Sequence, residues 1–221
     1  MRHFDQLEPA VRDVLFHRAP QSFDRDSERA VLAQSLGATL YVPATKEALA
    51  GTVRRQAAQG VRSIVIDLED AISDGSVDRA LTSTAGSLCE LNEDPVDCLV
   101  FVRVRRPGHI HSLADHLGPA LGVVSGFVLP KFSVAAGAGY LQAVADADEK
   151  SEHPVYAMPV IETPQALYRE SRDSSPVSVS CCTRRATGCC PSGSGRPTCA
   201  GCSVSGGTGT CPSMTWAWLR T

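Results

Sequence analysis

In Ser63-Ile64-Val65-Ile66-Asp67-Leu68-Glu69-Asp70-Ala71 an apolar run passes without a spacer into three carboxylates within four residues. A strand whose apolar residues are not interrupted by polar ones suits burial on both faces, the condition of a parallel strand covered by helices. The same grammar recurs on either side. Upstream lies Thr39-Leu40-Tyr41-Val42-Pro43; downstream lie Cys98-Leu99-Val100-Phe101-Val102-Arg103, then Gly126-Phe127-Val128-Leu129-Pro130, then Val155-Tyr156-Ala157-Met158-Pro159-Val160-Ile161. Helical segments separate these runs. In the first, Thr45 is the expected N-cap of a helix with Leu49, Val53 and Ala57 on one face, ending at Gly60.

Five β/α units in tandem therefore predict an α/β fold. In each, the charged residues gather where the strand ends: Lys46, the acids at 67–70, the arginines at 103–106, Lys131 and Glu162. A TIM (β/α)₈ barrel keeps its chemistry at that end of its strands. A doubly wound open sheet has the same repeat and the same polar end. Its phosphate fingerprint is absent, because the first turn reads Pro43-Ala44-Thr45-Lys46 with no Gly-x-Gly-x-x-Gly, so neither dinucleotide nor P-loop chemistry is suggested.

The 221 residues are 43% hydrophobic and 20% charged, enough to bury a sizeable core. A net charge of -3 and a pI near 6.1 give none of the clustered basic character that phosphate-backbone binding needs, which excludes nucleic acid as an expected partner. The first residues form no apolar leader and no run of eighteen apolar residues occurs, so the expectation is a soluble cytoplasmic protein with no membrane role. Residues 1–37 read as an extension of two short amphipathic helices, over 6–17 and 27–36.

The chemistry is expected at the strand ends. Strand alternation aims Asp67 and Glu69 the same way, and like charges on buried strand ends are costly unless a cation or an arginine compensates them. Asp74 is expected only to cap the next helix. Arg103 continues an apolar strand and should face the mouth, where a planar guanidinium can clamp a carboxylate or an enolate oxygen. Arg105 and Arg106 read as solvated loop residues, and His109, His111 and His116 as exposed polar ones. Glu162 follows an unbroken apolar run and is the candidate metal ligand, since hard cations such as Mg²⁺ take few protein carboxylates and fill their remaining positions with water and substrate. Lys131 closes the fourth unit and leans toward anion binding; Schiff-base chemistry would need it desolvated.

Taken in order, Leu40-Tyr41-Val42-Pro43-Ala44, Ile66-Asp67-Leu68-Glu69-Asp70-Ala71, Val102-Arg103-Val104, Val128-Leu129-Pro130-Lys131 and Ile161-Glu162-Thr163 resemble the successive strand-end motifs of the citrate lyase β-subunit and HpcH/HpaI aldolase family, over residues 38–170. The resemblance implies a Mg²⁺-dependent carbon–carbon lyase or aldolase on a TIM barrel, acting on a keto- or hydroxy-acid that can be carried as a CoA thioester. It implies Glu162 as metal ligand and Arg103 as the group that steadies an enolate or carboxylate. It gives Asp67, Glu69 and Asp70 the tasks of holding water near the metal or moving a proton; Lys131, from its own place at a strand end, is a substrate-binding candidate beside the alternative of a solvated lysine. Family members often assemble as homo-oligomers. The alternatives are a non-catalytic remnant or binding protein and a phosphoenolpyruvate-type barrel enzyme.

Composition changes class near residue 171. Seven of the nine cysteines and both tryptophans lie beyond it, with one acid, Asp173, and no lysine. The family's second metal carboxylate, an Asp in a Gly-x-x-Asp-Leu-like motif, is missing. Codons for Pro197-Thr198-Cys199-Ala200-Gly201-Cys202, read from each third base, permit Asp-Leu-Cys-Gly-Leu, and Met214-Thr215-Trp216-Ala217-Trp218 at the same offset permits Asp, an apolar residue, Gly and another apolar residue. The expectation is that residues 171–221 are out of frame and disordered, which sequencing the gene tests. A Cys-rich zinc module is the weaker reading, with one C-x-x-C and no histidine in the tail. On this reading the barrel stops at five units, with unpaired strand edges, low solubility and little activity.

Overall fold

The computed structural model describes residues 1–70, 72–164 and 219–220. Five strands, β1 (Leu40–Pro43), β2 (Ser63–Asp67), β3 (Leu99–Arg103), β4 (Val124–Leu129) and β5 (Tyr156–Pro159), lie side by side in sequence order, each parallel to the next. Helices α1 (Pro9–Leu15) and α2 (Arg29–Ser35) precede the sheet, and α3 (Leu49–Ala58), α4 (Val77–Glu93), α5 (Pro107–Leu117) and α6 (Val134–Lys150) connect its strands. This is the α/β architecture of successive barrel units that the apolar runs predict. A two-residue strand, β6 (Leu219–Arg220), pairs antiparallel with Tyr156 and Ala157 of β5. The β5 edge, expected to be unpaired, is therefore partly covered. Apart from these two residues, the tail expectations lie outside the described residues.

Alternation along each strand sorts its side chains into two cores. Ile64, Ile66, Val100, Val102, Phe127, Leu129 and Ala157 pack outward against the connecting helices. Val65, Leu99, Phe101, Val128 and Tyr156 point to the other face, the interior of a barrel wall, where Phe23 and Leu32 of the N-terminal segment cover them. Both faces of the sheet are thus buried, which is why the strands carry no polar alternation. Gly126 lets β4 approach β5: a Cβ there would stand 2.2 Å from the Tyr156 carbonyl oxygen.

Two local expectations are corrected. Thr45 is not a helix cap. The Lys46 amide donates to the Pro43 carbonyl at 2.9 Å, closing a turn, and Ala48 adopts a left-handed backbone (φ 48°), so α3 begins only at Leu49. Nor does Asp74 cap α4: it opens a 3₁₀ turn, Asp74–Ser76, and its carboxylate is taken by Arg105. A side-chain cap does occur at Ser133, whose hydroxyl accepts the Ala136 amide at the start of α6.

Candidate active site

Parity decides which charged residues meet. On β2, Asp67 falls on the same side as Val65; on β3, Arg103 falls on the same side as Phe101; on β1, Tyr41 opposes Val42, which packs outward. All three are thereby directed to the interior, Asp67 and Arg103 at the C-terminal ends of their strands and Tyr41 within β1. Asp67 and Arg103 are also register partners across the β2–β3 ladder. Their side chains meet in a bidentate pair, Nε donating to Oδ1 at 2.7 Å and Nη2 to Oδ2 at 2.6 Å. The Arg103 guanidinium lies over the Tyr41 ring, 5.2 Å from its centroid.

The β2–α4 loop brings two further acids to the same arginine. Asp70 Oδ2 accepts from Nη2 at 2.8 Å, and Glu69 Oε2 lies 3.1 Å from Nη1 without the alignment of a hydrogen bond. Asp67 and Glu69 are buried, with side chains 7% and 8% exposed, whereas Asp70 is 69% exposed. The arginine demanded by the acid cluster is thus Arg103. Its guanidinium is held charged well above its ordinary range, chiefly by the hydrogen bond to Asp67.

Lys131 stands across the mouth in a left-handed conformation (φ 47°), its Nζ 2.9 Å from Glu69 Oε1. That ion pair raises its pKa, and the side chain is exposed, so it is neither desolvated nor disposed to lose its proton. Its backbone amide donates to Glu162 Oε1 at 3.0 Å, which ties the end of β5 to the turn after β4. Glu162 itself is exposed. Beside this cluster is a recess of about 530 Å³ lined by Glu69, Asp70, Arg105, Lys131, Ala136 and Tyr140, among others.

Arg105 was expected to be solvated and is not. Its side chain is 22% exposed and reaches back into the β2–α4 loop, donating to the carbonyls of Leu68 (3.0 Å), Glu69 (2.6 Å) and Ile72 and pairing with Asp74. The carbonyl of Arg105 in turn accepts from the Tyr140 hydroxyl at 2.6 Å, and burial pushes that phenol up to about 12. His109 is a second correction. It is 3% exposed on the inner side of α5, where the Arg106 Nε donates to its Nε2 at 2.9 Å. Arg106 itself is exposed, as expected of a loop residue, while its Nε serves the buried histidine. Tyr41, Arg105 and Tyr140 complete the neighbourhood of the acids.

Hard cations take oxygen ligands, and Mg²⁺ keeps several waters while binding one or two carboxylates. Glu69 Oε2 is buried and lacks a hydrogen-bond partner, and Glu162 is exposed with Oε1 engaged by one amide. These oxygens have the right chemistry for such a cation. No group of three or more His, Cys, Asp or Glu that could hold a metal converges among the described residues, so they fit it only as a partial donor set.

Residues 30–185 match the family model described as a C-C bond lyase of the TIM-barrel fold. The chain belongs to that family. The matched span is wider at both ends than the 38–170 over which the strand-end motifs were read, and it takes in α2 but for Arg29. No curated protein matches the chain. In this C-C bond lyase family member the candidate site is the cluster at the strand C-termini, where Asp67, Arg103 and the β2–α4 loop meet.

Proposed function

We propose that this mouth makes or breaks a carbon–carbon bond in a keto- or hydroxy-acid, carried free or as its CoA thioester, with Mg²⁺ as cofactor. The observation that carries the reading is Arg103, locked on one edge by Asp67 and aimed by its strand into the mouth beside Glu69 and Asp70. Cleavage leaves the bonding electron pair in an enolate, and a guanidinium held charged is suited to the oxygen on which that charge develops. When bound, Mg²⁺ supplies Lewis acidity to a keto or enolate oxygen, with Glu162 as a protein ligand and Glu69 a further carboxylate of fitting chemistry.

Lys131 meets a second anionic group of the substrate as a protonated point charge. Glu69 and Asp70 border the adjoining recess and stand where a proton taken from a hydroxyl, or returned to an enolate carbon, can pass. Arg105 and Tyr140 are positioning residues: Arg105 holds the loop that carries the acids, and Tyr140 braces the Arg105 backbone.

The test is a panel of hydroxy acids and their CoA thioesters, assayed for release of the carbonyl product with Mg²⁺ and after chelation. Turnover that stops on chelation and returns with Mg²⁺ is expected, and Arg103→Lys should lower kcat/KM by about 10²-fold, the scale of losing one preorganised donor to a developing oxyanion. Tight binding of such acids with no turnover of any would replace the lyase reading with that of a binding protein.

A further inference from the structure

The guanidinium of Arg103 presents two forks, and both already hold protein carboxylates. Nε and one N–H of Nη2 are closed by Asp67. The outer fork, made by Nη1 and the other N–H of Nη2, is the one a second carboxylate can read in bidentate fashion. On it, Nη2 donates to Asp70 at 2.8 Å, while Nη1 lies near Glu69 without an aligned bond. An incoming carboxylate that uses both prongs must therefore displace Asp70.

The three acids differ in what holds them. Asp67 makes two bonds to Arg103, and its Oδ1 also accepts the Glu69 amide at 2.9 Å. Glu69 is buried and paired with Lys131 at 2.9 Å. Asp70 has one bond to this arginine and is 69% exposed, so water takes up its carboxylate at little cost when it leaves. We propose that Asp70 is a resident stand-in for the substrate carboxylate: it holds the outer fork of Arg103 in the free protein and is exchanged for the substrate on binding. Asp70 thereby sets affinity and keeps the arginine oriented while the site is empty of substrate. The inference rests on the reading of Arg103 as the carboxylate clamp.

Malonate serves as the probe, titrated calorimetrically into the full chain at low salt in the presence of chelator. Asp70→Asn should bind malonate about three- to fivefold tighter than wild type, the factor that matches an exposed ion pair. Asp94→Asn removes an equal charge from an exposed residue paired with Arg54 at the far end of α4 and should leave affinity unchanged. Arg103→Lys keeps the charge and removes the fork, and should weaken malonate in both the wild-type and Asp70→Asn backgrounds. If Asp70→Asn binds no tighter than wild type, or if Asp94→Asn gains equally, the exchange is overturned. If Arg103→Lys binds malonate as well as wild type does, the clamp reading fails with it; loss in Arg103→Lys with no gain in Asp70→Asn sinks the exchange alone.

Discussion

Asp67→Asn would leave the Arg103 guanidinium, only 12% exposed, with one buried carboxylate nearby and an exposed one on its outer fork. Breaking a buried pair from one side is costly, and a loss of about 3 kcal/mol in urea unfolding is expected, with an unchanged m-value. His109 makes a different prediction. Burial, aided by Arg106 and Arg105, lowers its pKa below the ordinary 6.5. Above pH 6.5 it is neutral in both folded and unfolded states; below it, the unfolded chain binds a proton that the folded one resists, so stability falls as pH drops from 6.5 through the folded value. His109→Gln should flatten that decline, measured as the change in urea midpoint between about pH 7.5 and about pH 5.5. At this scale Arg103 and the acids were legible because each interrupts or ends an apolar strand. Arg105 was not, since all its partners but Asp74 are backbone carbonyls, which leave no mark in the sequence of the loop that offers them.

The β2–α4 loop is an element held from outside itself. Arg105→Ala removes donors to three of its carbonyls and the partner of Asp74, while the strands keep their ladders. Amides over 68–76 should then exchange with deuterium about tenfold faster or more, and those of β2 and β3 should not; uniform acceleration would mean that Arg105 supports the whole fold instead. Strand positions could be read from unbroken apolar runs, and β2 matches its predicted residues 63–67. The start of α3 could not: Thr45 has the chemistry of a cap, but the turn closed by the Lys46 amide on the Pro43 carbonyl forms first along the chain, and the left-handed Ala48 delays the helix. His109 escaped notice for a related reason. The apolar face of α5 that buries Ile110, Leu113 and Leu117 also takes in a histidine whose partner, Arg106, is three residues away.

Across the whole molecule the interior face of the sheet depends on the segment before β1. Leu32 and Phe23 are 1% and 5% exposed against Val65, Phe101, Val128 and Tyr156. Leu32→Ala should cost about 2–5 kcal/mol, and Phe23→Ala about 3–5 kcal/mol, in denaturant unfolding; a cost near zero for both would show that this segment is an appendage and not part of the core. The two short helices were legible from their spacing, but the place of α2 under the sheet was not, because its partners lie on strands far along the chain; α1, read as amphipathic, buries no residue at all. Among the described residues no helix is long and apolar enough to cross a membrane. The pairing of Asp67 with Arg103 across the β2–β3 register has one more consequence. Because side chains alternate, a slip of either strand by one residue would turn its charge toward the apolar helix layer and strand the other without its counterion. The same two residues that shape the mouth thus act as a proofreading mark for the assembling wall: only the sheet that has zipped in the correct frame can neutralise them.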